Sequence, residues 1–216
     1  MTLMPRHFRH RLALLFGVLA LIIGLPSTFL ITQVYHDRLI ADRGQTIQDL
    51  SRAVAAVVGE NLRERLREIE LLAHSSLFRR QPLGSAEIGD SLTRAQATYP
   101  SYSWIGLADV EGRVRNATGN LLLGAEVTQR PWFQGGLSGP FLGDVHEALL
   151  LSKLLPPSPD GRVIRFIDFA APVRDDQGQL RGVLGAHAHW DWANTVIQVL
   201  QPAQAAAEGL EIFIVN

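Results

Sequence analysis

Apolar positions along the chain fall into three regimes. From Leu12 to Ile31 they are nearly continuous (LALLFGVLALIIGLPSTFLI), and no Asp, Glu, Lys or Arg occurs between Arg11 and Asp37. At about 1.5 Å rise per residue, roughly 20 such residues span a hydrocarbon core of about 30 Å, so residues 12–34 are predicted as a transmembrane helix. Pro26 kinks such a helix but is tolerated inside a membrane. The second regime, from Tyr35 to about Phe78, has helical spacing: Ile47, Leu50, Val54 and Val57, then Leu62, Leu66, Ile69, Ala73 and Leu77. The two series are offset around Asn61, as a stutter would give. Residues 35–80 are expected to form one long helix, with Glu60/Arg63 and Glu64/Arg67 pairing on its solvated face. Its stripe can pack on its own domain or pair with a second subunit, and a homodimer seam is expected along its first half.

The third regime follows Gln81-Pro82-Leu83-Gly84-Ser85. A short helix is predicted near Glu87–Ala97, and then the pattern becomes strand-like with turn chemistry between segments. Tyr102–Ala108 and Arg113–Ala117 flank the turn Asp109-Val-Glu-Gly112. Arg162–Val173 and Leu180–Trp190 flank Arg174-Asp-Asp-Gln-Gly178. Asp191 is placed to N-cap a helix running to about Ala206. Gly209–Asn216 reads as the start of another strand. The fold class is α+β: a transmembrane helix, a long helix, and an antiparallel sheet of the PAS-like kind over residues 85–206.

Charge adds orientation. Residues 1–11 carry Arg6, Arg9 and Arg11, so the positive-inside rule places them in the cytoplasm and everything after Tyr35 outside. A cleaved signal peptide is the competing reading, but the apolar run is long for one and no A-x-A-like site follows it. A formal net charge of −1 gives no basic field for nucleic acid. Cysteine is absent, which excludes disulfides, thiolate metal sites and a cysteine nucleophile. No cofactor is implied.

Several motifs stand in order beyond the apolar run: YPSYSWIGLADVEGRV, RPWF, FLGDVHEA, FIDFAAPVRDDQGQLRGVLGAH and WDWA. Together they resemble the double Cache (dCache) sensor domains of bacterial transmembrane receptors, from Leu12 onward. The resemblance implies a membrane-distal sensing module, with residues 209–216 opening a truncated membrane-proximal one. It implies the ligand-sensing region of a signal-transduction receptor of the histidine kinase, diguanylate cyclase or chemoreceptor type, in the bacterial inner membrane with its sensor periplasmic. The visible chain is then not an enzyme.

Amino-acid-binding members of that family use an Arg-x-Trp pair, an Asp about a dozen residues on, and an Asp ending the "GVxGx" strand. Arg130-Pro131-Trp132 matches the first element and Asp144 the second, but His187 stands at the third. A histidine is a poorer partner for an ammonium group than a carboxylate, so the small-molecule ligand implied is an organic acid or an amino acid, with a small carboxylate or related metabolite the leading expectation. Candidate ligand contacts are Arg130, Trp132, Asp144, His187 and, around the insertion His146–Pro159, His146 and Lys153. Side chains alternate along a strand, so His187 shares a face with Val183, Gly185 and His189. Asp168, inside an apolar strand, is either pocket-facing or paired with an arginine such as Arg165. Tyr99, Tyr102 and Trp104 read as core and pocket wall. Two other functions fit the same residues: a structural anchor with a degenerate pocket, or a metal-dependent enzyme using His187, His189 and Asp191, with His146 as a further ligand. The leading expectation assigns no metal.

Overall fold

A computed structural model describes residues 6–147 and 163–200. Lys153 and the predicted strand at 209–216 lie outside the described residues, as does the end of the predicted helix beyond Leu200. The chain divides into two units, Met1–Arg52 and Ala53–Asn216. The first is a stretch of helix α1 (Arg6–Ala73), which contains Pro26 in its interior. Its most apolar 18-residue window has a mean hydropathy of 2.4 with none of it buried, so it is long and apolar enough to cross a membrane. Leu14, Ile22, Leu25 and Phe29 all expose more than half of their surface.

The second unit begins within α1 and contains the sheet. The long helix does not continue to Phe78 as its periodicity predicts. It stops at Ala73 and restarts as α2 (Ser76–Arg80), because Ser75 takes an extended conformation, φ −65°, ψ 150°. The restart places the Phe78 ring in the core, fully buried. Arg67 also departs from expectation: its guanidinium pairs with Glu60, 3.3 Å away, in a cluster that includes Arg63. Helix α3 (Ala86–Thr98) starts one residue before the prediction, where Ser85 Oγ accepts from Ile88 N.

The sheet contains β1 (Tyr102–Asp109), β2 (Val114–Ala117), β3 (Phe141–Leu142), β4 (His146–Glu147), β5 (Arg165–Arg174) and β6 (Leu180–His189). Their order is β2-β1-β6-β5-β3, all antiparallel, with β4 following β3 along the same edge of β5. A 3-10 turn (Thr118–Asn120), helix α4 (Pro131–Ser138) and helix α5 (Asp191–Leu200) complete the described elements. Neither α4 nor the short strands β3 and β4 is signalled by periodicity. Pro131 occupies the first turn of α4, where its missing N–H costs no bond.

Alternation along the strands produces two cores. Ile105, Leu107, Ile167, Phe169, Leu184 and Ala186 face one side and pack with Ile69 and Ala73 of α1, Phe78 of α2, and Ile88 and Leu92 of α3. Trp104, Ala108, Phe166, Ala170 and Val183 face the other, against Trp132 and Phe133 of α4. Two irregularities set these phases. Tyr102 pairs with Ala188 and Trp104 with His187, leaving Ser103 as an extra residue. The bulge turns Tyr102 to the helical side, where its hydroxyl donates to Glu68 Oε2 at 2.9 Å. Gln96 Nε2 donates to the Tyr102 and Ser103 carbonyls there. In the β5–β6 hairpin, Arg174 pairs with Leu180 and Val173 with Gly182, so Arg181 is the extra residue. Its guanidinium donates to the carbonyls of Phe78 and Gln81, tying the bulge to α2 and the residue that follows it.

Candidate functional site

The face of the sheet opposite α1–α3 carries a cavity of about 260 Å³. Its floor comes from β1, β5 and β6, its walls from α4 and the segment leading into it, and its rim from the β3–β4 edge. Arg130, Trp132, Asp144, His146 and His187 all line it, so five of the six residues singled out in the sequence lie around one space. The sixth, Lys153, is outside the described residues. Trp104, Phe141, Glu147 and Asp168 complete much of the lining.

Close approach of backbone and rings shapes the walls. Gly106 and Gly185 pair across β1 and β6, opening a trough in the sheet. The Trp104 and Trp132 rings lie over these glycines, where a Cβ on Gly185 would stand 2.5 Å from Trp132 and one on Gly106 would stand 2.1 Å from Trp104. Trp104 is locked further by an Nε1–H bond to the Leu121 carbonyl, 3.0 Å. The segment before α4 is stitched to the end of the β1–β2 hairpin: Val114 N donates to Ala125 O, Gly124 N to Val114 O, and Val127 N to Gly112 O. Gly112 has φ +76°, a left-handed turn conformation that suits glycine. This stitching presents Arg130 at the cavity. Among the described residues, no hydrogen bond or ion pair engages its guanidinium.

The floor is polar at one point. Cross-strand register sets Asp168 of β5 opposite His187 of β6, both on the cavity face and both buried. His187 Nδ1 contacts Asp168 Oδ1. On the other side of the carboxylate, His146 Nε2 lies 3.6 Å from Asp168 Oδ2. His146 Nδ1 lies 3.0 Å from the Asp144 carbonyl oxygen. A carbonyl can only accept, so this contact places a ring hydrogen on Nδ1 and turns Nε2 toward Asp168. His187 sits between aromatic rings, 5.0 Å from Trp104 at a 33° tilt and 6.3 Å from Trp132 at 89°.

One open alternative closes here and one expectation changes. Asp168 faces the cavity, as the central acid of its floor, and does not pair with Arg165. The signal was its phase: a carboxylate on the even-numbered, cavity side of β5, in step with Phe166 and Ala170. The metal-capable group is also not His187, His189 and Asp191. Among the described residues it is His146, Asp168 and His187, whose donor atoms lie within 4.8 Å of one another. Asp191 is the first residue of α5, and its carboxylate lies 3.3 Å from His189 Nδ1.

An antiparallel sheet in the order β2-β1-β6-β5-β3 carries α1–α3 on one face, and on the other α4 and a concave, aromatic-walled cavity of the kind small-molecule sites use. Solved structures share this fold. The ligand-binding domain of the Pseudomonas aeruginosa amino-acid chemoreceptor PctC, in complex with GABA, superposes with a TM-score of 0.55 at 16% identity, covering 70% of this chain and 63% of that one. The ligand-binding domain of the Pseudomonas fluorescens chemoreceptor CtaA with L-serine gives 0.55 at 18% identity, over 72% and 63%. That of Pseudomonas aeruginosa PctB with L-Arg gives 0.54 at 21% identity, over 74% and 63%. The chain thus has the fold of bacterial chemoreceptor ligand-binding domains, Cache-type sensors, and covers less than two thirds of the length of these three. No family model matches the sequence, and no curated protein matches it.

Proposed function

We propose that the chain is the extracytoplasmic sensing region of a membrane-bound signal-transduction receptor, and that its cavity binds a small carboxylate metabolite through Arg130. The observation that carries this reading is the guanidinium of Arg130, unengaged among the described residues, at a cavity walled by Trp104, Trp132 and Phe141. A guanidinium fork matches a carboxylate in two parallel hydrogen bonds, and aromatic walls exclude water around them. The N-terminal stretch of α1 is the membrane anchor, with residues 1–11 cytoplasmic and the sensor periplasmic. Ligand binding biases two states of a homodimer through α1, which requires the ligand to bind one state more tightly.

A second reading, an amino acid ligand, is favoured by Asp168. With Asp144 it offers the pair of carboxylates for an ammonium group that the histidine at position 187 seemed to remove. The three solved domains named above hold GABA, L-serine and L-Arg. A thermal-shift panel on the full chain in detergent separates the two readings. A ligand at about 100 times its Kd adds about 2.7 kcal/mol of stability, a shift of several degrees. Organic acids that stabilise the chain while amino acids do not support the first reading, and the reverse supports the second. No stabilisation by either class leaves a degenerate anchor.

A further inference from the structure

Two histidines and a buried carboxylate converge at the inner end of the cavity, and an organic carboxylate gripped by Arg130 gives them no role. We propose that His146, Asp168 and His187 bind a divalent first-row transition metal ion, with Zn²⁺ the reference case, inside the ligand cavity. The donor set is the first support. Two imidazoles and one carboxylate suit zinc, nickel, cobalt or copper, whereas calcium and magnesium prefer oxygen-only sites.

Geometry is the second support. Donors at about 2.0–2.1 Å around a tetrahedral ion stand roughly 3.3 Å apart. His146 Nε2 and Asp168 Oδ2 are already 3.6 Å apart, and all three donors lie within 4.8 Å of one another. The contact of His187 Nδ1 with Asp168 Oδ1 has to open for an ion to enter between the three groups. The ligating nitrogen of His187 then offers its lone pair, with the ring hydrogen on the other nitrogen.

The third support is the surrounding structure. Metal-bound imidazoles commonly donate their second N–H to a carbonyl or carboxylate, which fixes tautomer and ring orientation. The His146 Nδ1 contact to the Asp144 carbonyl supplies that arrangement, and the Trp104 and Trp132 rings hold His187 in place. Three protein donors leave at least one coordination position open toward the cavity, where Arg130 stands. An anionic ligand would then bridge the ion and the guanidinium. The proposal rests on the same cavity being the ligand site and adds what fills its floor.

The test is titration of Zn²⁺ into the full chain in detergent, after chelator treatment and in a non-coordinating buffer, followed by calorimetry. Co²⁺ substitution reads the geometry, since a four-coordinate site gives intense visible bands. One equivalent is expected to bind, unaffected by excess Mg²⁺ or Ca²⁺. His146→Ala, at a half-buried edge position, and Asp168→Asn are expected to weaken it at least about tenfold. A His7→Gln/His10→Gln variant is expected to retain it. Absence of binding, binding unchanged in both His146→Ala and Asp168→Asn, or loss in the N-terminal variant would overturn the proposal. Carboxylates that stabilise a chain unable to bind zinc would leave the sensing reading intact. Zinc binding with no stabilising carboxylate, with or without the ion, would leave the metal site and remove the sensing reading.

Discussion

Gly185 lies beneath the indole of Trp132, so close that a methyl group on its Cα would stand 2.5 Å from the ring. That contact lets a tryptophan from α4 reach down to the sheet and form a cavity wall. Gly185→Ala forces the ring, Val183 and α4 to shift together, because α4 is itself seated through Gly136 on Val183. The expected cost is about 1–3 kcal/mol in thermal unfolding. The same variant is expected to abolish stabilisation by any ligand that raises the melting temperature of the unaltered chain.

Arg130 has the opposite profile. Its side chain is half-buried and engages no partner among the described residues, so Arg130→Ala is expected to change stability by less than about 0.5 kcal/mol. Ligand-induced stabilisation is expected to disappear. Arg130→Lys keeps the charge but loses the fork, and is expected to respond more weakly than the unaltered chain. A full response in Arg130→Ala would remove the residue from the binding reading.

Asp109 links stability to pH. Burial raises its carboxyl, but the Arg113 backbone N–H, 2.9 Å away, and the Arg115 guanidinium outweigh that and hold it below the usual carboxylate range. A depressed folded-state value means the contribution is fully present above the unfolded value, about pH 4, and is lost as pH falls through the folded one. With Arg115 half-exposed and partly screened, Asp109→Asn is expected to cost about 1–2 kcal/mol at pH 7. Chemical denaturation at a series of pH values should show the two chains converging below pH ~4.

Tyr102 joins β1 to α1. Burial and the adjacent Glu68 carboxylate push its phenol well above its ordinary value, so it stays a donor throughout the physiological range. Tyr102→Phe keeps the ring against Phe169 and removes the hydroxyl bond to Glu68. A loss of about 1 kcal/mol is expected in equilibrium unfolding. A neutral result would show that Glu68 and its neighbour Arg65 satisfy each other without it.

Much of this fold is readable from local pattern. The strands β1, β5 and β6 and the turns between them follow from alternation and from Asp-Gly-type punctuation, and the helices α1 and α3 from period and capping. Helix α4 is not, because only eight residues carry it and two of them are glycine. The break at Ser75 has no proline or glycine to announce it; burial of Phe78 decides it. At the site, Arg130, Trp132 and His187 stand out through the resemblance to dCache sensors, whose motif positions they occupy or depart from. Asp168 shows only its phase within an apolar strand, because its pairing with His187 depends on which residue of another strand stands opposite. That is a long-range property, invisible to windows a few residues wide.

The meeting of Asp168 with His187 is settled at the closed end of the hairpin by the extra residue Arg181. Zipped up without interruption from the Arg174–Leu180 pair, the same two strands would bring Ala186 opposite Asp168 and turn His187 to the helical side. The cavity's chemistry is therefore a matter of reading frame as much as of composition. One uncounted residue, anchored to α2 and far from any ligand, decides whether acid and imidazole share a room or stand on opposite sides of a wall.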